Sequence, residues 1–332
     1  PRRICNGLIS AMPMGKVLIT GGAGFIGSRF AKKANQQGWN VTILDNLSTG
    51  LQATVDELEQ LGIKVIIGDI LDLELLNKSL TDFSAVVHLA AQVSVPISIE
   101  SPEETIEINV KGTQNVIESC LETNVKRLVL ASSAAVYGDL NNFPLKEEDA
   151  GQGFSPYAKS KWANEQQIID ARKQGLQATA LRFFNVYGSG QNPEGAYAAV
   201  IPKFTDLMIK GIAPTINGDG LNTRDFVHID DVCEAIMKLI DGEWKSKDYH
   251  VYNVATQSQV TILDLVSEIN ICLNNLVSDF MPINPIHGPE RIGDIRHSMA
   301  SITRITEALG WSPNVDLKQG INDIVIERLN LM

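Results

Sequence analysis

A tyrosine and a lysine four residues apart, Tyr157 and Lys161, form the pair best suited to proton transfer in this sequence. Residues four apart lie on one face of a helix, and Ser155 followed by Pro156 is a typical helix start. The usual pKa of tyrosine, about 10, makes it a poor base at neutral pH. A nearby ammonium lowers that pKa, so Tyr157 could take a proton from a hydroxyl group that is being oxidised.

Ser133 is the third candidate catalytic residue, since it follows a strand predicted over 127–131. A serine hydroxyl beside Tyr157 could hydrogen-bond the reacting oxygen and relay the proton. Each of the three residues also has an ordinary interpretation, in which Tyr157 packs, Lys161 is solvated and Ser133 ends a strand. Their combination with the glycine-rich turn described next favours catalysis.

The stretch KVLITGGAGFIG, residues 16–27, is the element around which the other motifs are arranged. Its glycines fit G-x-G-x-x-G between a strand predicted over 16–20 and a helix predicted over 25–37. In such a turn the backbone can approach a pyrophosphate, which binds to the free N–H groups at the start of the helix. The pattern predicts a dinucleotide site that includes Gly21 and Gly24.

Acidic and small residues follow the next three predicted strands. Asp45 lies 18 residues after Gly27, close to the spacing of about 20 at which an acid meets the adenosine ribose. It favours NAD over NADP, because a carboxylate would repel a 2′-phosphate. Asp69 is expected near the adenine, at the carboxyl end of its strand. Ala90 and Ala91 either admit the nicotinamide ribose or only pack closely.

Strands and helices alternate through the first half of the chain, which predicts right-handed crossovers and a parallel sheet. We expect an α/β fold with a Rossmann-type, doubly wound parallel sheet and a smaller C-terminal substrate-binding lobe. The NAD-binding domain is expected over 14–188, with later segments returning to it, and the substrate-binding lobe mainly over 189–332. Residues 1–13 are expected to be an extension or a cloning remnant before a natural start at Met12 or Met14.

The composition of the 332-residue chain narrows the classes of function. A net charge of −11 argues against nucleic acid as the main partner. The four cysteines show no C-x-x-C pairing, which indicates reduced thiols in a cytoplasmic protein. No apolar run reaches the roughly 18 residues of a membrane span, and no secretory signal is recognised. The histidines lack metal-binding spacing, so no metal site is predicted.

Together these motifs resemble the extended short-chain dehydrogenases/reductases, in the nucleotide-sugar 4-epimerase branch. The resemblance extends from residue 14 to near 330. The stretches that carry it are TGGAGFIGS, DNLSTG, GDI, HLAA, NVKGT, SSAAVYG, SPYAKSK, LRFFNVYG, GDGLNTRDFVHIDDV and YNVA. It implies that Ser133, Tyr157 and Lys161 are catalytic and that Lys161 also holds the nicotinamide ribose.

The resemblance also assigns residues to two ligands. Besides Tyr157 and Lys161, the positions that match NAD contacts are Gly21, Gly24, Phe25, Ile26, Asp45, Asn46, Ser48, Gly50, Asp69, Ile70, Leu89 and Ala91. The positions that match contacts with the UDP part of a substrate are Asn185, Val200, Asn217, Arg224, Arg291 and Asp294. Arginines suit a diphosphate, although Arg224 and Arg291 could equally form ion pairs with neighbouring acids.

The implied reaction is oxidation at C4 of a UDP-sugar by bound NAD, rotation of the 4-keto intermediate, and return of hydride to the opposite face. Related dehydratases carry Asp-Glu where Ala134 and Ala135 stand, so the sequence favours epimerisation. Ser298 stands where a bulky tyrosine restricts some relatives to glucose and galactose. A serine there favours UDP-N-acetylglucosamine and UDP-N-acetylgalactosamine, with UDP-glucose and UDP-galactose also allowed, unless Ser298 is a loop residue without sugar contact.

Ile97 departs from the pattern, because many relatives that act on N-acetyl sugars have arginine there. The departure weakens the substrate prediction, above all for uronic-acid sugars, which would need a cation nearby. The alternatives are a UDP-glucuronate 4-epimerase, another nucleotide-sugar oxidoreductase, and a non-catalytic NAD-sensing protein; the presence of Tyr157 and Lys161 argues against the last. The resemblance further implies nucleotide-sugar metabolism for polysaccharide biosynthesis, and a homodimer with a four-helix interface built from helices over 102–123 and 157–173.

Overall fold

The computed structural model describes residues 14–193, 199–243, 249–290 and 295–331. The strands are β1 (Lys16–Thr20), β2 (Asn40–Asp45), β3 (Lys64–Ile67), β4 (Ala85–His88), β5 (Arg127–Ser133), β6 (Gln177–Phe183), β7 (Asn185–Tyr187), β8 (Thr215–Asn217), β9 (Thr223–Arg224), β10 (Phe226–His228), β11 (Val251–Val254), β12 (Val260–Thr261) and β13 (Ile286–Gly288). The helices are α1 (Phe25–Gln36), α2 (Gln52–Gln60), α3 (Leu73–Ser79), α4 (Val95–Glu100), α5 (Pro102–Ile106), α6 (Gly112–Glu122), α7 (Pro156–Lys173), α8 (Val200–Ile209), α9 (Ile229–Asp241), α10 (Ile262–Leu276), α11 (Thr303–Leu309) and α12 (Leu317–Asn330).

Seven of the described strands form one parallel sheet in the order β11-β6-β5-β4-β1-β2-β3. The chain runs outward from β1 to β3, crosses to β4, and then runs outward in the other direction. The predicted Rossmann-type, doubly wound sheet is therefore confirmed. Because β1 and β4 are neighbours that lead in opposite directions, a crevice opens beyond their carboxyl ends, where open α/β sheets bind ligands.

Both faces of the sheet are covered by helices, which explains why its strands are apolar runs without alternation. On one face α1 and α9 pack through residues such as Phe30 and Ile236, both fully buried. On the other face α3, α6 and α7 pack through Leu76, Val116 and Ile168, also fully buried. Each such side chain contributes roughly 1.5–3 kcal/mol on burial, so the edge that holds the candidate site is firmly supported.

A separate apolar cluster joins α8, α10 and α12 through residues such as Met208, Leu265 and Ile324. Segments beyond residue 188 also join the sheet, since β11 pairs with β6 and α9 packs in the cluster that covers β1. The division of the chain at residue 188 stays a prediction. Within the described ranges, no helix combines the length and apolar character needed to cross a membrane.

The helix predicted over 102–123 is interrupted by a π-helical turn over Glu107–Lys111, between α5 and α6. Such turns frequently mark functional sites. Here the turn carries the buried Asn109, whose side chain accepts from Gln92 N at 2.8 Å and donates to Gln92 O at 2.9 Å. Asn109 thereby fixes the segment that follows β4, at the edge where the crevice opens.

Candidate active site

The three candidate catalytic residues meet at the carboxyl end of β5. Ser155 caps α7 by accepting from Ala158 N at 3.1 Å, as predicted. This start places Tyr157 and Lys161 on the helix face that packs against β5 and directs the Tyr157 hydroxyl to a hydrogen bond with Ser133. Tyr157 is 9% exposed and Lys161 5%, so this acid–base group is largely shielded from water.

Burial dominates the titration of both groups in the protein alone. It raises the pKa of Tyr157, and the hydrogen bond to Ser133 offsets only part of that rise. It lowers the pKa of Lys161 to about 8, which the nearby Glu165 carboxylate partly opposes. The Lys161 ammonium donates to Ala131 O at 2.9 Å and lies 5.9 Å from the centroid of the Tyr157 ring. The predicted lowering of the pKa of Tyr157 is therefore not found in the protein alone; it was expected from Lys161 together with the positive nicotinamide ring of NAD⁺.

The glycine-rich turn between β1 and α1 is shaped as a cradle for a phosphate group. Gly21 has φ +69°, and a Cβ there would lie 2.7 Å from Ala90 N. A Cβ on Gly27 would lie 2.2 Å from Gly21 O. Gly24 is the N-cap of α1 and offers no side chain to accept hydrogen bonds from the first N–H groups of the helix. This uncapped helix start fits the pyrophosphate of NAD.

The predicted adenosine-binding residues lie together at the ends of β2 and β3. The Asp45 carboxylate accepts from Ala23 N at 2.9 Å and from Leu47 N at 2.8 Å, which joins β2 to the glycine-rich turn. Asn46 donates to the Asp69 carboxylate at 2.8 Å. The other predicted NAD positions follow the carboxyl ends of β1, β2, β3 and β4. They are Phe25, Ile26, Ser48, Gly50, Ile70, Leu89 and Ala91. The contacts of all these residues with NAD stay predictions.

Substituting alanine for Gly24 is expected to weaken NAD binding about tenfold or more without unfolding the protein. The new Cβ would lie 3.3 Å from Gly21 O and near no other heavy atom, but it would occupy space beside the first helical N–H groups. Calorimetric titration with NAD, together with a thermal melt, tests this. Gly27→Ala should instead lower the melting temperature, whereas Gly151→Ala, with open space around it, should change neither. Native affinity in Gly24→Ala would contradict this position of the pyrophosphate.

Sequence reasoning missed His88, which lies under the dinucleotide turn. Its ring nitrogens contact Thr20 Oγ1 at 2.6 Å and Thr113 Oγ1 at 2.9 Å. Burial, together with the Lys161 charge, lowers the pKa of His88 to about 3, so the ring is neutral at physiological pH. It joins β1, β4 and α6 below the crevice. A histidine inside an otherwise apolar strand was the available indication.

Sequence reasoning also missed the ion pair between Glu165 and Arg182, whose side chains are 1% and 2% exposed. Arg182 donates from Nε at 2.9 Å and from Nη2 at 2.8 Å to the two carboxylate oxygens. Burial opposes the guanidinium charge, but Glu165 outweighs it and raises the pKa of Arg182. An arginine within the apolar strand QATALRF was the indication that a buried partner exists.

The predicted substrate residues lie in several elements of the second half of the chain. Asn185 begins β7, Val200 begins α8 and Asn217 ends β8. The Arg224 Nη1 atom donates to the carbonyl oxygens of Thr223 and Ile295, at 2.8 and 2.7 Å. Arg291 and Asp294 lie outside the described residues. That these side chains contact one ligand stays a prediction.

Ser298 lies in a segment that is held from two sides. Leu145 N donates to Met299 O, and Ser301 N donates to Leu145 O, each at 2.8 Å. Ala300 N donates to the buried Asp225 carboxylate at 3.1 Å. Ser298 itself is partly exposed, so its side chain is accessible.

The chain is similar to a protein family and to several known proteins. The family model described as "NAD dependent epimerase/dehydratase family" matches residues 17–255. The chain is similar to the UDP-N-acetylglucosamine 4-epimerase of Methanobrevibacter ruminantium M1, solved with UDP-N-acetylmuramic acid, at 34% identity and a TM-score of 0.87, over 97% of this chain and 100% of that one. It is similar to the Thermotoga maritima UDP-glucose 4-epimerase, solved with UDP-glucose, at 32% identity and a TM-score of 0.86, over 96% and 100%. It is 33% identical to UDP-glucuronate 4-epimerase 2 of Arabidopsis thaliana, over 93% of this chain and 74% of that protein.

Proposed function

This chain belongs to the NAD-dependent epimerase/dehydratase family, and on that premise we propose that it is a 4-epimerase that interconverts UDP-N-acetylglucosamine and UDP-N-acetylgalactosamine. NAD is the cofactor of the family. The observation that carries the proposal is the assembly of Ser133, Tyr157 and Lys161 at the same edge of the sheet as the glycine-rich turn. Ala134 and Ala135 follow Ser133 and offer no carboxyl group for the loss of water, which supports epimerisation over dehydration.

In the proposed reaction, Tyr157 Oη takes the proton from the C4 hydroxyl of the sugar and later returns it. Ser133 Oγ hydrogen-bonds the same oxygen and holds it near the tyrosine. The Lys161 ammonium stabilises the phenolate through its charge. Bound at the glycine-rich turn, NAD would supply the hydride acceptor and donor for C4. Because Tyr157 and Lys161 are buried, water competes poorly for the proton.

We propose that the UDP part is held by Asn185, Val200, Asn217, Arg224, Arg291 and Asp294. Guanidinium groups bind phosphate oxygens in pairs of hydrogen bonds, so Arg224 and Arg291 suit the diphosphate. The small Ser298 supports an N-acetyl sugar, since its hydroxymethyl group takes far less space than a phenol ring. Ile97, 39% exposed, brings no cation, which argues against a uronic acid. The relative from Methanobrevibacter ruminantium M1 is itself a UDP-N-acetylglucosamine 4-epimerase.

The test is incubation of the purified protein with UDP-N-acetylglucosamine, without added cofactor and then with NAD, and analysis of products by proton NMR. Appearance of the galacto epimer is the expected result. Turnover of UDP-glucose alone would keep the reaction and reject the N-acetyl preference. Turnover of UDP-glucuronate alone would identify the protein as a UDP-glucuronate 4-epimerase. Steady accumulation of NADH would identify net oxidation of the sugar instead of epimerisation. NAD binding without turnover of any of these sugars would support a sensing protein.

Substituting tyrosine for Ser298 is expected to lower kcat/KM for UDP-N-acetylglucosamine by about tenfold to a hundredfold, because the ring would fill the space of the N-acetyl group. Activity on UDP-glucose should change little. Ser298→Ala is the matched control and should retain both activities. Equal losses on the two substrates in Ser298→Tyr would contradict a sugar contact at this position.

We further propose a homodimer through the faces of α5, α6 and α7. Ile99 and Ile106, on α4 and α5, are 64% and 52% exposed, and apolar side chains exposed this far often mark protein interfaces. Ile106→Lys is expected to convert the dimer into a monomer, as measured by sedimentation velocity. The same substitution at Ile271 on α10, 42% exposed, should leave the dimer intact. A native monomer would contradict the proposed interface.

A further inference from the structure

One face of α7 engages the last residues of β5 at three successive points. The Tyr157 hydroxyl is hydrogen-bonded to Ser133. One turn later, Lys161 Nζ donates to Ala131 O at 2.9 Å. A further turn along, the Glu165 carboxylate accepts from Ser132 Oγ at 2.5 Å. Side chains at 157, 161 and 165 therefore fix the position of α7 on residues 131–133, the segment that ends in the candidate catalytic serine.

The Glu165 carboxylate is also held from the next strand. Its two oxygens accept from Arg182 on β6, the register partner of Ser132. Arg182 Nη1 in turn donates to Tyr137 Oη at 2.9 Å and to Glu147 O at 2.8 Å. The ion pair thus links α7, β5, β6 and the turn that follows Ser133.

Stability alone does not account for this arrangement. A buried ion pair loses solvation on both charges, and replacing such a pair with apolar residues is often neutral or stabilising. If Glu165 were neutral, Arg182 would lose its charged partner and Lys161 would lose the carboxylate that favours its charge. The other titratable groups near Lys161 are Tyr157 on its own helix and His88 on β4, whose ring is neutral. Glu165 is therefore the negative charge closest to the Lys161 ammonium among the described groups.

We propose that Glu165 is a positioning residue for the epimerase reaction, which holds α7 on Ser132 and keeps Lys161 protonated beside Tyr157. The inference rests on the proposed function and assigns a role to a residue that contacts neither sugar nor NAD. Its two parts are separable, because Ser132→Ala removes the hydrogen bond and keeps the charge. Glu165→Gln removes the charge and keeps an oxygen that can accept from Ser132.

The direct measurement is the pH titration of Lys161, which needs neither substrate nor cofactor. Protein labelled with ¹³C-lysine is titrated by NMR, and the Lys161 resonance is assigned from its loss in Lys161→Met. Because the carboxylate favours the charged ammonium, the Lys161 midpoint in Glu165→Gln should fall below that of the native protein by about one pH unit or more. In Ser132→Ala it should stay within a few tenths of the native value.

The kinetic counterpart is the pH profile of kcat. The ammonium is present below its pKa and lost above it, so the alkaline limb should move to lower pH in Glu165→Gln. In Ser132→Ala, kcat should fall about tenfold at every pH without a shift of the limb, because misplacement of reacting groups costs rate. Glu147→Gln is the matched control: it neutralises a second buried carboxylate, 6% exposed, that accepts from Asn253 N at 3.0 Å.

An unchanged Lys161 midpoint in Glu165→Gln would overturn the electrostatic part of the proposal. Native kcat in Ser132→Ala would overturn the positioning part, and that variant remains informative even if Glu165→Gln does not fold. Equal shifts in Glu165→Gln and Glu147→Gln would show a general effect of buried charge. Failure of the native protein to epimerise any UDP-sugar would reject the proposed function, but the Lys161 titration would still report on Glu165.

Discussion

Tyr157→Phe is expected to lower kcat by about a hundredfold to ten-thousandfold, the usual range for loss of a positioned acid–base group. The ring is 9% exposed, so phenylalanine fills the same space and the fold should be kept. The hydroxyl that meets Ser133 is the only part removed. Steady-state kinetics on UDP-N-acetylglucosamine, with thermal melts to verify folding, provide the measurement.

Tyr252→Phe is a suitable control for that experiment. Tyr252 lies on β11, is 2% exposed, and has its pKa raised to about 12 by burial, so its hydroxyl stays protonated at neutral pH. Loss of this hydroxyl should leave kcat within a factor of about two. If Tyr157→Phe kept more than a tenth of the native kcat while binding substrate normally, Tyr157 could not be the proton-transfer group.

Arg182→Met is expected to lower the free energy of unfolding by about 3–5 kcal/mol, because it leaves the Glu165 carboxylate buried without its partner. Glu165 is 1% exposed, so water cannot replace the two lost hydrogen bonds. Urea unfolding followed by circular dichroism measures the loss. Arg182 also donates hydrogen bonds to Tyr137 Oη and Glu147 O. The expected loss of unfolding free energy therefore lies toward the upper end of the range.

The double variant Arg182→Met with Glu165→Leu separates stability from function. Removing both charges should restore most of the lost free energy, since no uncompensated ion remains. Activity should stay low in the double variant, because Lys161 would still lack its anion. If the double variant were no more stable than Arg182→Met, the loss would come from packing around Arg182 and not from the buried charge.

The parts of the site that sequence could predict are those in which residue type and spacing act locally. Gly21, Gly24 and Asp45 follow from the geometry of a single strand–turn–helix unit. The spacing of Tyr157 and Lys161 follows from the helical repeat. The fold class could be predicted for the same reason, since the alternation of apolar strands and helices is visible in short windows.

The parts that were missed depend on contacts between residues far apart in the chain. His88 joins residues 68 and 25 positions away, and nothing in its neighbours indicates them. The π-helical turn at Asn109 contains no unusual residue, and its hydrogen bonds join Asn109 to Gln92, 17 positions away. Glu165 was visible as a charged residue on the buried face of a helix, but its role required the position of β6.

The pairing of β11 with β6 has a consequence for how the protein is made. During synthesis, β6 emerges about 70 residues before its partner, with Val251 paired to Ala180. Until then β6 is an edge strand, and Ala180 and Leu181, both fully buried in the finished protein, have a paired strand on the β5 side only. The seven-stranded sheet can thus be completed only after β11 has left the ribosome. A nascent chain that stalls between β6 and β11 would expose an unpaired, apolar β edge. Chaperones bind surfaces of this kind.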